Sequence, residues 1–406
     1  MAEYVSRIAL PADREREGGL SWSPRDLDWI LLAAVAALLG VGLWAIAGIT
    51  RHDVPGNPSY YVVRQGVFAF IGLIAFLAGL FIDPDLYRRH KRWIYGLMTG
   101  SMLIVILVGT AARGSRRWID LGFFRFQPSE FGKLLFVLFF AAFLADRSRQ
   151  LGAVRTTLAA VGLAIGPILL VFVQPDVGTA LVYSAALGAM LFVAGTRWLQ
   201  LTALGLAAAA VAVAMLWALP SAGIHPLKEY QAERLTGFLD PAKDPGGTTY
   251  NITQSITAVG AGGVNGRGVS GSTQTNLDYL PEHATDFAFA SFAEQRGFVG
   301  AALLLGLYLL VVWRGLRIAT ISRDAFGAIA GGGIVFGLLF QIFVNVGMTI
   351  GLAPITGIPL PLVSVGGSSM IANLAAIGVL QAICVRGRAR SRQGSARYRR
   401  TWSRRA

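Results

Sequence analysis

The sequence predicts an all-α polytopic membrane protein. It would have ten transmembrane helices, both termini cytoplasmic, and one long extracytoplasmic loop between helices 7 and 8. Three observations predict this. Hydrophobic residues fill 54% of the 406 positions and charged residues only 14%, against about 25% charged in an average soluble domain. The apolar residues come in blocks near the ~20 residues that cross the hydrocarbon of a bilayer, not as an amphipathic stripe. The third observation is the placement of the positive charge. Together they exclude a soluble enzyme, a disordered chain and a disulfide scaffold, and a β-barrel would alternate polar and apolar residues instead.

The blocks fall at 27–50, 60–82, 93–112, 127–145, 156–174, 177–195, 198–219, 287–313, 325–352 and 362–385. Residues 1–26 are polar and hold Arg7, Arg14, Arg16 and Arg25. They have no short apolar core before a cleavage site, so no signal peptide is expected. Ten crossings place 1–26, 83–92, 146–155, 196–197, 314–324 and 386–406 on one side. That side holds 24 of the 36 Lys and Arg residues, and the other side holds 10. By the positive-inside rule the richer side is cytoplasmic.

The chain therefore divides into a cytoplasmic segment 1–26, a transmembrane domain 27–385 with its outer loop 220–286, and an Arg-rich cytoplasmic tail 386–406. The tail reads as a topology anchor or as a surface for anionic lipid or a partner. So placed, the net charge of +14 points to a membrane surface and not to nucleic acid. A loop as long as 220–286 is more often functional than a mere connection. Cys384 is the sole cysteine, and His52, His90, His225 and His283 show no metal-ligand spacing.

Ionisable groups inside spans are costly and mark candidate sites. The fourth span opens Gln127-Pro128-Ser129-Glu130-Phe131-Gly132-Lys133. Pro128 suits a first helical turn, and Glu130 and Lys133, three apart, share a face and can pair. That pair reads either as structural or as part of a site. Arg116 and Arg117, with Arg113, Arg125 and Trp118, lie on the outer side, where arginine is disfavoured. They bind phosphate of a special lipid or snorkel to ordinary headgroups. Asp176, in Gln174-Pro175-Asp176, reads first as a cap of the sixth helix. The run 260–268 is glycine-rich but lacks the Gly-Lys-Ser/Thr of a P-loop. The long loop ends Thr285-Asp286-Phe287, with Glu294 and Arg296 two turns deeper. Asp286 reads as a helix cap or as a general base at an interfacial cleft. Gly331, Gly332 and Gly333 would permit close helix packing in the ninth span.

These segments together resemble the SEDS family (shape, elongation, division and sporulation), and its RodA-type branch more than its FtsW-type division branch. The matching pieces are Arg116-Arg117-Trp118, Gln127-Pro128-Ser129-Glu130 with Lys133, and Gln174-Pro175-Asp176 with Gly178-Thr179. They continue with Tyr250-Asn251-Ile252-Thr253-Gln254-Ser255, Leu280-Pro281-Glu282, Thr285-Asp286-Phe287, Gly357-Ile358-Pro359-Leu360-Pro361 and Gly366-Gly367-Ser368-Ser369. All stand in family order between about residues 27 and 385. The chain departs from the family where Ala284 replaces the histidine before Thr-Asp, where Gln295 follows Glu294, and where Val365 replaces a tyrosine.

The resemblance implies a peptidoglycan glycosyltransferase of the bacterial plasma membrane. Such an enzyme polymerises lipid II into β-1,4 glycan and releases undecaprenyl diphosphate, beside a class B penicillin-binding protein. The family's essential aspartate falls on Asp286, and its Glu/Lys pair on Glu130 and Lys133. Gln127, Arg116, Arg117 and Asp176 join Glu130 and Lys133 as candidate substrate-binding residues. No cofactor is assigned, although a divalent cation such as Mg2+ is a candidate to share the diphosphate charge. Two rival functions fit the same pattern: a flippase for polyprenyl-linked lipid, and a non-enzymatic scaffold for the cross-linking partner.

Overall fold

A computed structural model describes residues 23–112, 115–224, 227–239, 249–322 and 324–403. Ten of the described helices are long and apolar enough to span a bilayer. They are α1 (Trp29–Ile49), α2 (Tyr60–Phe81), α3 (Lys91–Val108), α4 (Pro128–Ala145), α5 (Val154–Val173), α6 (Val177–Ala194), α7 (Trp198–Ser221), α8 (Ala288–Ile321), α9 (Ala325–Thr349) and α10. The helix α10 runs Gly367–Ser403, with its apolar part at Gly367–Ala389. Short polar side chains start several of them. Asp28 accepts from the Leu31 amide, Asp176 from Thr179 and Asp324 from Gly327, so each carboxylate meets amides with no partner inside the helix.

The helices are apolar on every side, so packing, not amphipathicity, sorts them. Most of α4, α9 and α10 is buried, whereas none of the apolar window of α7 is. Glycines set the closest approaches. A Cβ on Gly378 would stand 2.1 Å from the Phe76 carbonyl, and one on Gly79 would stand 2.8 Å from that of Ala375. The backbones of α2 and α10 thus meet directly. Gly331, Gly332 and Gly333 let α9 pack closely on the side chains of Ala319, Val193 and Met190.

Loops expected on one side do gather at one end. Asp28, almost fully buried, accepts from Arg314 Nε at 3.1 Å and Arg388 Nη2 at 3.3 Å. Gln381 bonds both the Asp28 amide and its carbonyl. Nearby, Asp146 pairs with Arg88 and Lys91, and Arg386 pairs with Asp83. Burial alone would raise the Asp146 pKa, but the hydrogen bonds from Lys91 and Arg88 outweigh it and hold the carboxyl below its usual range.

Three elements differ from the sequence reading. The third span stops at Val108, where Gly109 turns the chain extended. A small antiparallel sheet follows in place of a loop: β1 (Thr110–Ala112), β2 (Ser115–Asp120) and β3 (Arg125–Phe126). Second, α8 is 34 residues long, about 51 Å if unbroken and far more than a bilayer needs. Gly297, at φ 66° and ψ −167°, breaks it into a nine-residue piece from Ala288 to Arg296 and a crossing piece of 24 residues ending at Ile321. The membrane crossing therefore lies deeper than the expected 287–313. Third, α10 carries its helix through most of the Arg-rich segment, to Ser403.

The break in α8 is filled by the long loop. Phe298 and Val299 donate to the carbonyls of Gly263 and Val264, and Arg267 donates to that of Glu294. These bonds serve backbone groups that a continuous helix would have paired. The glycine-rich run thus makes close turns here. A Cβ on Gly266 would meet the Gln295 carbonyl at 2.3 Å, and the φ of +81° there already favours glycine.

Candidate active site

Asp286 lies in the turn that leads into the nine-residue helix. The turn is tight: Glu282 takes φ 55°, and its carbonyl accepts from both Thr285 and Phe287. Thr285 Oγ1 donates to the Glu282 carboxylate at 2.8 Å. Phe287 occupies the cap position and no side chain caps this helix, so Asp286 is not the helix cap. Its side chain is half-buried and faces Gly357, where a Cβ would stand 3.5 Å from Asp286 Oδ2.

Three elements hold this turn. From α9, Asn345 Nδ2 donates to the Asp286 carbonyl and to that of Ile358, both at 2.8 Å. The Val365 amide donates to the Ala284 carbonyl at 2.9 Å. On the outer rim, His283 Nε2 lies 3.1 Å from Asp53 Oδ1, tying the turn to the loop after α1. Burial works against the charged imidazole, but the Asp53 carboxylate, with Asp278, outweighs it and raises the His283 pKa. The aspartate is thus fixed through its backbone, with its carboxylate beside the Gly357 loop.

Glu130 and Lys133 lie in the first turns of α4, paired at 2.7 Å as their spacing predicts. Glu130 is 3% exposed. Lys133 also donates to Gln341 Oε1 at 2.7 Å. Gln341 lies one turn from Asn345 on α9, so a polar file runs from Glu130 through Lys133, Gln341 and Asn345 to the Asp286 turn. Glu130, Lys133, Gln341, Tyr183 and Asn373 form the polar edge of a cavity whose other walls, among them Leu134, Val137 and Ile334, are apolar.

Arg117, Gln127 and Asp176 form a second group beside it. Arg117 Nε donates to the Gln174 carbonyl at 3.0 Å, and Nη2 donates to that of Pro175. Asp176, 3% exposed, caps α6 as expected and also accepts from Gln127 Nε2 at 3.2 Å. Gln127 Oε1 accepts from the Trp118 indole at 3.1 Å. These three side chains are committed to one another and to the turn between α5 and α6. Gly178 brings that turn against the Gly357 loop, because a Cβ there would lie 2.5 Å from the Thr356 carbonyl. Arg116 is in β2, paired in register with Ala111. Its side chain and all of Arg113 lie outside the described residues. Among the described residues, no three His, Cys, Asp or Glu side chains gather as metal ligands.

Asn345 and Gln341 were not singled out in the sequence. A signal for them exists: two polar amides four residues apart inside an apolar span. Glu294 is also more central than expected. Fully buried, it accepts from the amides of Gln274 and Thr275 and from Thr275 Oγ1, joining the long loop to the helix that follows Asp286.

The fold and site define a multi-pass membrane protein with a largely apolar cavity, edged by Glu130, Lys133 and Gln341, near an acidic turn at one end of the bundle. The chain matches the FtsW/RodA/SpoVE cell cycle protein family over residues 25–388, and it belongs to that family. It is 35% identical over 362 residues to the peptidoglycan glycosyltransferase MrdB of Escherichia coli (strain K12), covering 89% of this chain and 94% of that protein. It resembles a chain from a study of the structural coordination of polymerization and crosslinking by a peptidoglycan synthase complex. The TM-score is 0.75 at 30% identity, covering 88% of this chain and 97% of that one. The rod shape determining protein RodA of Thermus thermophilus matches with a TM-score of 0.66 at 27% identity, over 88% of this chain and 96% of that one. This chain is accordingly a multi-pass protein of the bacterial plasma membrane.

Proposed function

We propose that this chain polymerises lipid II at the Asp286 end of the bundle, on the extracytoplasmic face, in the RodA-type role of building wall during elongation. It is a peptidoglycan glycosyltransferase. The observation that carries the reading is the placement of Asp286: its backbone is held by Asn345 and its half-buried carboxylate stands beside Gly357. A carboxylate so placed suits a general base, because its backbone is fixed by the protein and its side chain is only half-buried.

The donor sugar is α-linked to diphosphate and the product is β-1,4-linked, so a single displacement with inversion fits. Asp286 takes the proton of the acceptor 4-hydroxyl as that oxygen attacks the donor anomeric carbon, and the diphosphate leaves. Arg116 and Lys133 are the cations proposed to stabilise the departing charge. Glu130 keeps Lys133 oriented. Arg117, Gln127 and Asp176 shape the wall beside them and fix the strand that carries Arg116. The polyprenyl tails stay in the bilayer, between helices. A class B penicillin-binding protein is the proposed partner, receiving the glycan for cross-linking. The charge bias of the loops supports this orientation, with Asp286 outside.

The experiment is glycan polymerisation by the purified chain with its partner and lipid II, comparing the parent with Asp286→Asn. The reading expects polymer from the parent and almost none from the variant. Equal polymer from both would remove Asp286 as the base. Movement of lipid II across vesicles with no polymer would favour the flippase.

A further inference from the structure

Arg296 has no part in the scheme above, and its surroundings are unusual. It ends the nine-residue helix that begins just after Asp286, directly before the break at Gly297. Its guanidinium carbon lies 3.6 Å from the ring centroid of Trp44 on α1. Trp44 is 51% exposed, and the adjoining Phe298 is 70% exposed, so this is a surface that faces lipid. Trp44 stands five residues before the end of α1 at Ile49, about 7 Å along the helix axis. The cation is therefore carried below the rim of the bundle, toward the acyl region.

Nothing among the described residues neutralises it. No carboxylate lies within ion-pair distance of Arg296, and its buried Nε has no hydrogen-bond partner. Its neighbour Gln295 is 2% exposed and packs its amide on Gly48, one turn beyond Trp44 on the same face of α1, where its Nε2 also lacks a partner. An arginine in this position is costly unless it reaches a counter-charge, and a tryptophan face offsets only part of that cost. Lipid supplies the missing acceptor. A guanidinium centred over a ring can still offer its two Nη groups to a pair of phosphate oxygens.

We infer that Arg296 and Trp44 form a seat for a lipid phosphate at the Asp286 end of the bundle. The bound group is the phosphate of an anionic phospholipid or of a polyprenyl carrier. The seat also clamps the far end of the short helix that starts at the Asp286 turn. Lipid held there would steady the catalytic turn, a consequence that rests on the function proposed above. The seat itself does not depend on that function.

The test is lipid retention by the full chain purified in a maltoside detergent, which carries no phosphate, read by native mass spectrometry. Phosphatidylglycerol, undecaprenyl diphosphate and phosphate-free diacylglycerol are titrated separately. The parent is compared with Arg296→Leu and Trp44→Leu, with Arg296→Gln as a second neutral variant should the leucine protein not fold. The neutral Arg296 variants should bind at least one phosphate lipid about fivefold more weakly than the parent. Trp44→Leu should fall between, and diacylglycerol should not discriminate. Which phosphate lipid loses more identifies the source. Equal retention of both phosphate lipids by the parent and the folded neutral variants overturns the seat, whatever the polymerisation assay reports.

Discussion

Asn345 donates to the main-chain carbonyl of Asp286 at 2.8 Å and to that of Ile358 at the same distance. One buried amide therefore sets the separation between the acidic turn and the loop it faces. Replacing Asn345 with leucine strands two buried carbonyls, at about 1–3 kcal/mol each. The expected result is a lower melting temperature and slower polymerisation together. A variant that melts lower but polymerises at the parental rate would show that Asn345 serves stability alone.

Gly357 takes φ 72° beside the Asp286 carboxylate. Alanine there places a methyl group in ordinary contact with Oδ2 and forces a left-handed backbone, at about 1–2 kcal/mol. Gly357→Ala should lower the turnover of lipid II more than it lowers the melting temperature. A loss of stability with activity intact would place the substrate elsewhere.

Glu130 and Lys133 are paired and nearly buried. Removing one charge leaves the other exposed to a low-dielectric surround, at about 3–5 kcal/mol. Lys133→Met and Glu130→Gln should each destabilise, and the double variant should recover part of that loss. Activity separates the two readings of the pair. If the double variant regains polymerisation along with stability, the pair is structural. If it stays inactive while folded, Lys133 works on the substrate.

His283 has a pKa raised above the ordinary value of 6.5 because the Asp53 carboxylate outweighs burial. A group raised on folding contributes stability that is full below its unfolded pKa and is lost as pH climbs through the folded value. The melting temperature of the parent should exceed that of His283→Gln most at about pH 6, and the gap should narrow toward about pH 9. A gap that is constant with pH would show that the imidazole is neutral against Asp53.

The ten spans were legible because hydrocarbon thickness imposes a length and composition that few other structures share. The pairing of Glu130 with Lys133 and the capping by Asp176 were legible because both are local, set by spacing within one helix. The cap role for Asp286 failed because the helix begins after Phe287, a placement fixed by the Glu282 turn and not by a cap motif. The break in α8 was hidden because one glycine in an apolar run carries no periodic signal. It exists only because Gly263 and Val264, far back in the loop, accept its freed amides. Likewise, Arg117 bonds to the Gln174 and Pro175 carbonyls, a partner choice made by tertiary contact alone.

The buried Asp28 at the start of α1 is met by Arg314 of α8 and by Gln381 and Arg388 of α10. During synthesis the first helix enters the bilayer while those three side chains have yet to be translated. Its carboxylate must wait at the lipid headgroups, hydrated, until the last helix arrives. Closure of this end is therefore a late event in assembly, and nascent chains that stop before residue 381 leave the two ends of the protein unjoined.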